Sequence, residues 1–278
     1  MIPRPLVARL EAAGIPDAAG DVRRLFEEAY AAGNAPGAPA QTREAPNEVT
    51  LEMLSIFLEQ RLARMPVAQI IGRRAFWRHE FRVTPDVLDP RPETETLVAA
   101  ALERPFTRIL DLGTGSGCIL LSLLVDRPAS EGLGTDLSPA ALSVAAWNAR
   151  ELGLAGRARF AEGPWFAPVE GRFDLIVSNP PYIPAADLDG LAPEVRDHEP
   201  RGALTDGADG LSAYRAIFAG AAAHLAPGGR VLVEFGAGQG DDVARIAAAE
   251  GWQDTSFHAD LDGRDRVLAA LSPGSRGF

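Results

Sequence analysis

Residues 173–183 read FDLIVSNPPYI, an apolar, β-branched run that stops at Asn179 and continues as Pro180, Pro181 and Tyr182. Two prolines cannot continue a hydrogen-bonded ladder, so a strand stop is one reading of the segment. It leaves the asparagine unexplained. A proline restricts the residue before it to extended conformations. Asn179 and Pro180 are therefore held extended, with the Asn179 side-chain oxygen and the Pro180 carbonyl free of secondary structure. Two such acceptors side by side suit a planar NH2 group. The lone pair of an amide or aromatic amine is delocalised. Accepting both N–H bonds raises electron density on the nitrogen and fixes its direction of attack. Tyr182 can pack on the flat face of such a group.

A weak nucleophile needs a strong electrophile, and ILDLGTGSGCILLSLL (109–124) offers a place for one. It reads as a buried strand, the loop Gly113-Thr114-Gly115-Ser116-Gly117, and an apolar helix. Glycines let the backbone turn tightly and let a ligand touch the main chain. Asp136 stands about 20 residues on, at the end of the next strand, where a carboxylate binds ribose hydroxyls. A dinucleotide and S-adenosylmethionine both suit that layout. The spacing is GxGxG rather than the dinucleotide GxGxxG, and Asp111 sits just before the loop. A carboxylate there is awkward beside a pyrophosphate and useful beside the ammonium of a methionine moiety. The loop points to S-adenosylmethionine, with S-adenosylhomocysteine as product. Cys118, directly after the loop, reads as a small buried helix residue rather than a nucleophile.

The chain that must position these groups has 278 residues, 46% hydrophobic and 23% charged, enough for a packed core in one large domain or two modest ones. A net charge of −11 argues against a broad grip on nucleic acid. The single cysteine excludes an intrachain disulfide, and the four histidines lack metal-ligand spacing. MIPRPLVARLEAAG has no apolar stretch of signal-peptide length, and no run of 18 apolar residues is present. The expectation is a cytoplasmic protein without membrane association.

Residues 1–30 are helix-like. In DVRRLFEEAYAAG, Val22, Leu25, Phe26 and Ala29 recur at helical spacing, and Gly33 reads as a stop. GNAPGAPA (33–40) predicts a turn or loop. TLEMLSIFLEQRLAR (50–64) predicts a helix with Leu51, Leu54, Phe57, Leu58 and Leu62 on one face, ending before Pro66. In AFWRHEFRVTPDVLDPRPETE, Thr84-Pro85-Asp86 breaks β-type residues and reads as the turn of a hairpin. From Thr94 onward strands alternate with helices. The strands are expected at 108–113, 132–136, 158–160, 173–179, 228–236 and 266–271. Such alternation predicts an α/β domain, a mostly parallel sheet with helices on both faces.

PVAQIIGRRAFW (66–77), RVTPDVLDPRPETE (82–95), DLGTGSGCI (111–119), SNPPYI (178–183), HEPRGALTDGADGLSAYRAI (198–217) and DLDGRDR (260–266) together resemble the bacterial peptide chain release factor N(5)-glutamine methyltransferases, the PrmC/HemK family. The resemblance covers essentially the whole chain. It implies an N-terminal helical substrate-recognition domain (1–72) and a β-hairpin linker (73–93). Residues 94–278 would form a class I S-adenosylmethionine-dependent methyltransferase domain, Rossmann-like with a seven-stranded, mostly parallel sheet. The implied reaction methylates the side-chain amide of the glutamine in the Gly-Gly-Gln tip of release factors, which are then the protein partners. By position, Gly113 to Gly117, Asp136 and Trp165 would bind the cofactor. Asn179 would touch cofactor and substrate, and Pro180, Pro181 and Tyr182 would hold the glutamine.

Two positions depart from the family pattern. Pro164 stands where an acid usually precedes the aromatic pair Trp165-Phe166, leaving Glu162 or a backbone carbonyl to meet the adenine amine. Asp89 stands where an apolar residue is common. His198 and Glu199 read either as a surface pair or as part of a loop over the glutamine, and Arg91 and Glu93 either as an inner wall of the site or as solvated linker. A ribosomal protein glutamine methyltransferase, an adenine amino-methyltransferase of nucleic acid and an inactive binding module are the rivals. DLDGRDR and GLSAYRAI favour the release factor enzymes, the acidity counts against nucleic acid, and no motif residue is damaged.

Overall fold

The computed structural model describes residues 4–34, 46–252 and 254–272, so most of the loop expected at 33–40 lies outside the described residues. The chain divides into two compact units, residues 1–73 with 192–198, and residues 74–191 with 199–278.

The first unit contains α1 (Arg4–Ala12), α2 (Ala18–Gly33), α3 (Glu48–Leu62) and α4 (Val67–Ile71). Asp17 and Asn47 cap α2 and α3 by accepting the N–H groups of Gly20 and Thr50. Val22, Leu25 and Ala29 of α2 pack on Leu54 and Leu58 of α3 and on Leu10 of α1. Leu51, expected on the buried face of α3, is instead 52% exposed. It lies three residues before Leu54 but on the flank of the stripe, and the face is narrower than the apolar content of the helix suggests.

A buried ion network joins this unit to its distant segment. Arg61 Nε donates to Asp21 Oδ2 at 2.7 Å, and Arg61 Nη2 to Glu194 Oε1 at 2.9 Å. Arg64 Nη2 reaches the other Glu194 oxygen at 2.9 Å. Gln69 Nε2 donates to the carbonyl of His198, whose ring Nε2 lies 3.0 Å from the carbonyl of Ala63.

The second unit is built on a seven-stranded sheet, preceded by a small two-stranded one. β1 (Arg73–Phe76) and β2 (His79–Arg82) form the small sheet. Their connection is Trp77-Arg78, with Trp77 at φ +55°, and not Thr84-Pro85-Asp86 as the sequence suggests. Thr84 instead closes a separate turn, its hydroxyl accepting the Asp86 N–H and its carbonyl that of Val87.

There follow α5 (Glu95–Leu102), β3 (Arg108–Leu112), α6 (Cys118–Asp126), β4 (Glu131–Asp136), α7 (Pro139–Glu151), β5 (Ala158–Glu162) and β6 (Phe173–Ser178). The short α8 (Pro193–Arg196) belongs to the first unit. The rest comprises α9 (Arg201–Leu204), α10 (Ser212–His224), β7 (Leu225–Glu234), α11 (Gly240–Ala249), β8 (Thr255–Ala259) and β9 (Asp265–Leu271).

The strand order is β5-β4-β3-β6-β7-β9-β8, with β5 to β7 mutually parallel and β9 antiparallel to both β7 and β8. β8 was not expected from the sequence. It is an edge strand with four of its five residues exposed, so it carries no apolar alternation.

Alternate residues of each central strand feed two cores. Ile109, Leu175, Val177 and Leu232 meet α5 and α6 on one face. Leu110, Leu112, Ile176 and Val231 meet α10 and α11 on the other. Strand order reverses between β3 and β6, and the crevice beyond their C-terminal ends is where open α/β sheets bind ligands.

Replacing Arg61 by Ala leaves the buried Asp21 and the Glu194 carboxylate short of their shared cation, although Arg24 and Arg64 still reach them. The expected cost is roughly 3 kcal/mol, the low end for breaking a buried pair. Urea denaturation reads it. An unchanged unfolding midpoint contradicts a structural role for the network.

Candidate active site

The glycine loop begins where β3 ends. Gly113, Gly115 and Gly117 take φ of +71°, +54° and +80°, which side-chain-bearing residues rarely adopt. The N–H groups of Gly113 and Thr114 both donate to the Thr135 carbonyl of β4 at 2.9 Å. Asn148 of α7 holds the loop from behind, its amide donating to the carbonyls of Ser116 and Arg82 while its oxygen accepts the Arg82 N–H.

Asp136 ends β4. One of its oxygens accepts the Gly115 N–H and the other the Ser138 N–H, each at 2.9 Å. These bonds fix the carboxylate and leave each oxygen a second lone pair. Asp111 is fully buried, and Thr114 Oγ1 donates to one of its oxygens at 2.7 Å. The other oxygen has no protein partner among the described residues. Burial pushes the Asp111 carboxyl up to about 7, the Thr114 hydrogen bond opposes this, and the Asp136 charge adds to it. Burial likewise pushes the Cys118 thiol up to about 12, which keeps it protonated and unreactive.

Asn179, Pro180, Pro181 and Tyr182 follow β6, whose last residue, Ser178, donates its hydroxyl to the Leu112 carbonyl at 2.7 Å. Asn179 Nδ2 donates to Thr94 Oγ1 at 3.2 Å. The prolines offer no N–H, so the segment is held from its far side. The Tyr182 carbonyl accepts from Gln239 Nε2, and the N–H groups of Ile183 and Ala185 donate to the carbonyls of Leu204 and Ala208. A Cβ on Gly210 would overlap the Tyr182 carbonyl, so that approach requires glycine.

Asp206 organises the facing turn, accepting the N–H groups of Ala208, Gly210 and Ser212 and the Ser212 hydroxyl. Against the desolvation that would raise it, these bonds hold its carboxyl down to about 2. The DGADGLS run of the sequence is this turn.

A cavity of about 340 Å³ opens between these loops. Of the residues singled out in the sequence, Gly113, Thr114, Gly115, Ser116, Asp136, Trp165, Asn179 and Pro181 line it. Asp111, Gly117, Pro180 and Tyr182 are not among its lining residues. The Tyr182 ring packs against Gly236 and the second core, and burial pushes its hydroxyl up to about 12. Glu162 is exposed and away from the lining, as is Pro164, whereas Gly163 contributes to the wall.

In the sequence Arg91 and Glu199 each admit two readings. Arg91 Nη2 lies 2.6 and 2.7 Å from the two oxygens of Glu199, which is 6% exposed. The pair anchors the loop whose Pro200, Gly202 and Ala203 complete the cavity, and Arg91 lines the wall itself. Burial pushes Glu199 up to about 7, Arg91 counteracts, and nearby Asp89 adds to the rise. Asp89 is also buried, between Arg74 and Arg91 at 3.7 and 3.9 Å. His198 and Glu199 do not act as a pair, because His198 makes its contact to Ala63 in the first unit. Glu93 is exposed.

Thr94, which lines the cavity, and Glu234, at the end of β7, are both 2% exposed, and neither is a site expectation of the sequence. Glu234 is a lone acid closing the apolar run of β7, and Asp111 is a lone acid within that of β3.

Comparison with known proteins gives four findings of family and fold. The methyltransferase small domain family matches residues 88–191. A release factor glutamine methyltransferase of Cereibacter sphaeroides is 54% identical over 98% of each chain. One of Rhodospirillum rubrum is 48% identical over 94% of this chain and 81% of its own. The crystal structure of a methyltransferase from Pyrococcus furiosus superposes with a TM-score of 0.55 at 16% identity, covering 80% of this chain and 98% of that one. It has the same fold.

The fixed carboxylate of Asp136 on the cavity wall suits the ribose hydroxyls of S-adenosylmethionine, and the partnerless oxygen of Asp111, buried behind the glycine loop, is an acceptor for its ammonium. A charge-assisted contact to ribose is worth roughly 1.5–3 kcal/mol. Asp136→Ala should therefore weaken S-adenosylmethionine binding by about ten- to a hundredfold, measured by calorimetry, with Asp136→Asn between it and wild type. Unchanged affinity in Asp136→Ala removes that carboxylate from the cofactor site.

Proposed function

The chain belongs to the family of release factor glutamine methyltransferases, and from that premise we propose that it methylates the side-chain amide nitrogen of the glutamine in the Gly-Gly-Gln motif of peptide chain release factors. The observation that carries this reading is the cavity that Asn179 shares with the glycine loop and Asp136. When bound, S-adenosylmethionine supplies an electrophilic methyl group on a sulfonium, and S-adenosylhomocysteine is left. Gly113 to Gly117, Asp111, Asp136 and Trp165 hold it in this account.

Asn179 Oδ1 and the Pro180 carbonyl accept the two N–H bonds of the substrate amide. That pairing selects a primary amide, because each acceptor needs its own N–H. It also raises electron density on the nitrogen and fixes its approach, and the proton that methylation makes acidic leaves after transfer. Positioning of this kind accounts for large rate factors without a strong base. Arg91 and Glu199 keep Pro200 and Ala203 on the wall, so that the amide is enclosed away from water.

In the same proposal residues 1–72 recognise the release factor, residues 73–93 link, and residues 94–278 carry the chemistry. All the cofactor residues named lie after residue 110, which supports that division. The net charge of −11 supports a protein substrate over nucleic acid. Among the described residues no helix is long and apolar enough to cross a membrane. A cytoplasmic site of action follows from the substrate proposed.

Purified protein with labelled S-adenosylmethionine should transfer label to a release factor and not to the same factor with its Gly-Gly-Gln glutamine replaced by alanine. Label entering ribosomal protein or DNA, with none in release factor, contradicts the proposal.

A further inference from the structure

S-adenosylmethionine carries two cationic centres, its sulfonium and its ammonium, and one anionic group, the carboxylate on the carbon that bears the ammonium. Acids meet that carboxylate in this cavity. Asp86 and Asp136 line it, and Asp111 is buried behind the glycine loop. Like charges a few ångströms apart repel unless a cation stands beside them. Among the residues that line the cavity, Arg91 alone is positively charged.

Arg91 directly precedes the turn Pro92–Thr94 that leads into α5. Its Nη2 donates to both oxygens of Glu199. Its Nη1 stands 3.9 Å from Asp89 Oδ2, beyond hydrogen-bond reach. A guanidinium has five N–H donors, and those of Nη1 and Nε meet no acceptor among the described residues. The Arg91 side chain remains 32% exposed, while the two acids that flank it are buried. From this geometry we infer that Arg91 is the receptor for the carboxylate of the cofactor, donating to it from the nitrogens that Glu199 leaves free. The inference rests on the cofactor reading given above and adds a residue to it.

The protein substrate has no claim on that cation, because the glutamine amide is neutral and Asn179 and Pro180 take its N–H bonds. A planar guanidinium fork matches the edge of a carboxylate. Glu199 fixes one nitrogen of the fork and so orients the others before the ligand arrives. Charge balance favours an anion as well. Arg74, Asp89, Arg91 and Glu199 cancel when all four are ionised. Burial raises Asp89 and pushes Glu199 up to about 7, so near neutral pH the cluster holds a surplus of positive charge. Anchoring the loop at Glu199 and receiving the carboxylate use different N–H groups and do not compete.

Calorimetry on the full chain tests this with two ligands, S-adenosylhomocysteine and the same molecule lacking its carboxylate but keeping its amine. Wild type should bind the second about ten- to a hundredfold more weakly, the span of one charge-assisted contact. Arg91→Met should narrow that ratio to less than about threefold. Since Arg91→Met leaves Glu199 buried without its cation, Arg91→Gln combined with Glu199→Gln supplies a neutral pair in its place and should narrow the ratio likewise. Glu199→Gln alone, in which Arg91 remains, should keep the wild-type ratio. A wild-type ratio near one overturns the inference whatever the variants do. So does a ratio that Arg91→Met or the double variant leaves unchanged, because a residue that only anchors the loop weakens both ligands alike. A ratio lost as fully in Glu199→Gln as in Arg91→Met also overturns it. Wild type that binds neither ligand defeats the cofactor reading itself, and no outcome depends on methyl transfer to release factor.

Discussion

Consecutive prolines deny a strand its ladder, and residues 179–185 are arranged around that denial. Pro180 and Pro181 have no N–H to give. The backbone is therefore fixed by what flanks them, with Ser178 tied to β3 on one side and Tyr182, Ile183 and Ala185 tied to Gln239, Leu204 and Ala208 on the other. Each of those anchors depends on a further device. The Asp206 turn holds Gly210 against the Tyr182 carbonyl, and the Gln239 side chain spans Gly236 and Tyr182. The result holds Asn179 at the reversal of strand order, in the same cavity as the glycine loop.

Buried acids surround that cavity. Asp111, Glu199 and Glu234 are each pushed up to about 7, in every case first by burial. A carboxyl whose folded value lies above its unfolded one favours the fold below the ordinary carboxylate range, and that contribution is lost as pH rises through about 7. At neutral pH these groups cost stability. A binding site that needs a carboxylate near a cation, or a fixed hydrogen-bond direction, is a physical reason to retain them. Asp89 adds a fourth buried acid next to Arg91.

Much of the centre was legible in sequence because it is local. The run into Asn179 and the glycine loop each combine a buried strand with a conformational break, and both proved to be strand ends on one cavity. The contacts that were not legible are distant or run against residue preference. Arg91 and Glu199 are separated by 108 positions, and no local pattern joins them. The turn of β1 and β2 falls on Trp77 at positive φ, an outlier for a bulky residue, so the proline turn at Thr84-Pro85-Asp86 drew the reading away from it. Residues 192–198, within the catalytic half of the sequence, group with the N-terminal helices through Glu194 and His198. A single exposed-looking glutamate gives no hint of two arginines 130 and more residues away.

The central claim is that Asn179 positions an amide nitrogen and is not merely where a strand ends. Single-turnover methyl transfer to release factor by Asn179→Ala tests it most directly, with cofactor affinity and Tm taken on the same samples. Losing one acceptor in a dry pocket costs roughly 1–3 kcal/mol, or about five- to a hundred-and-fiftyfold in rate, before any misalignment is added. Asn179→Asp, which keeps an acceptor of the same shape, should fall less far. Tm should hold in both, since Pro180 and Pro181 stop the strand regardless. Methyl transfer by Asn179→Ala at the wild-type rate would contradict the account.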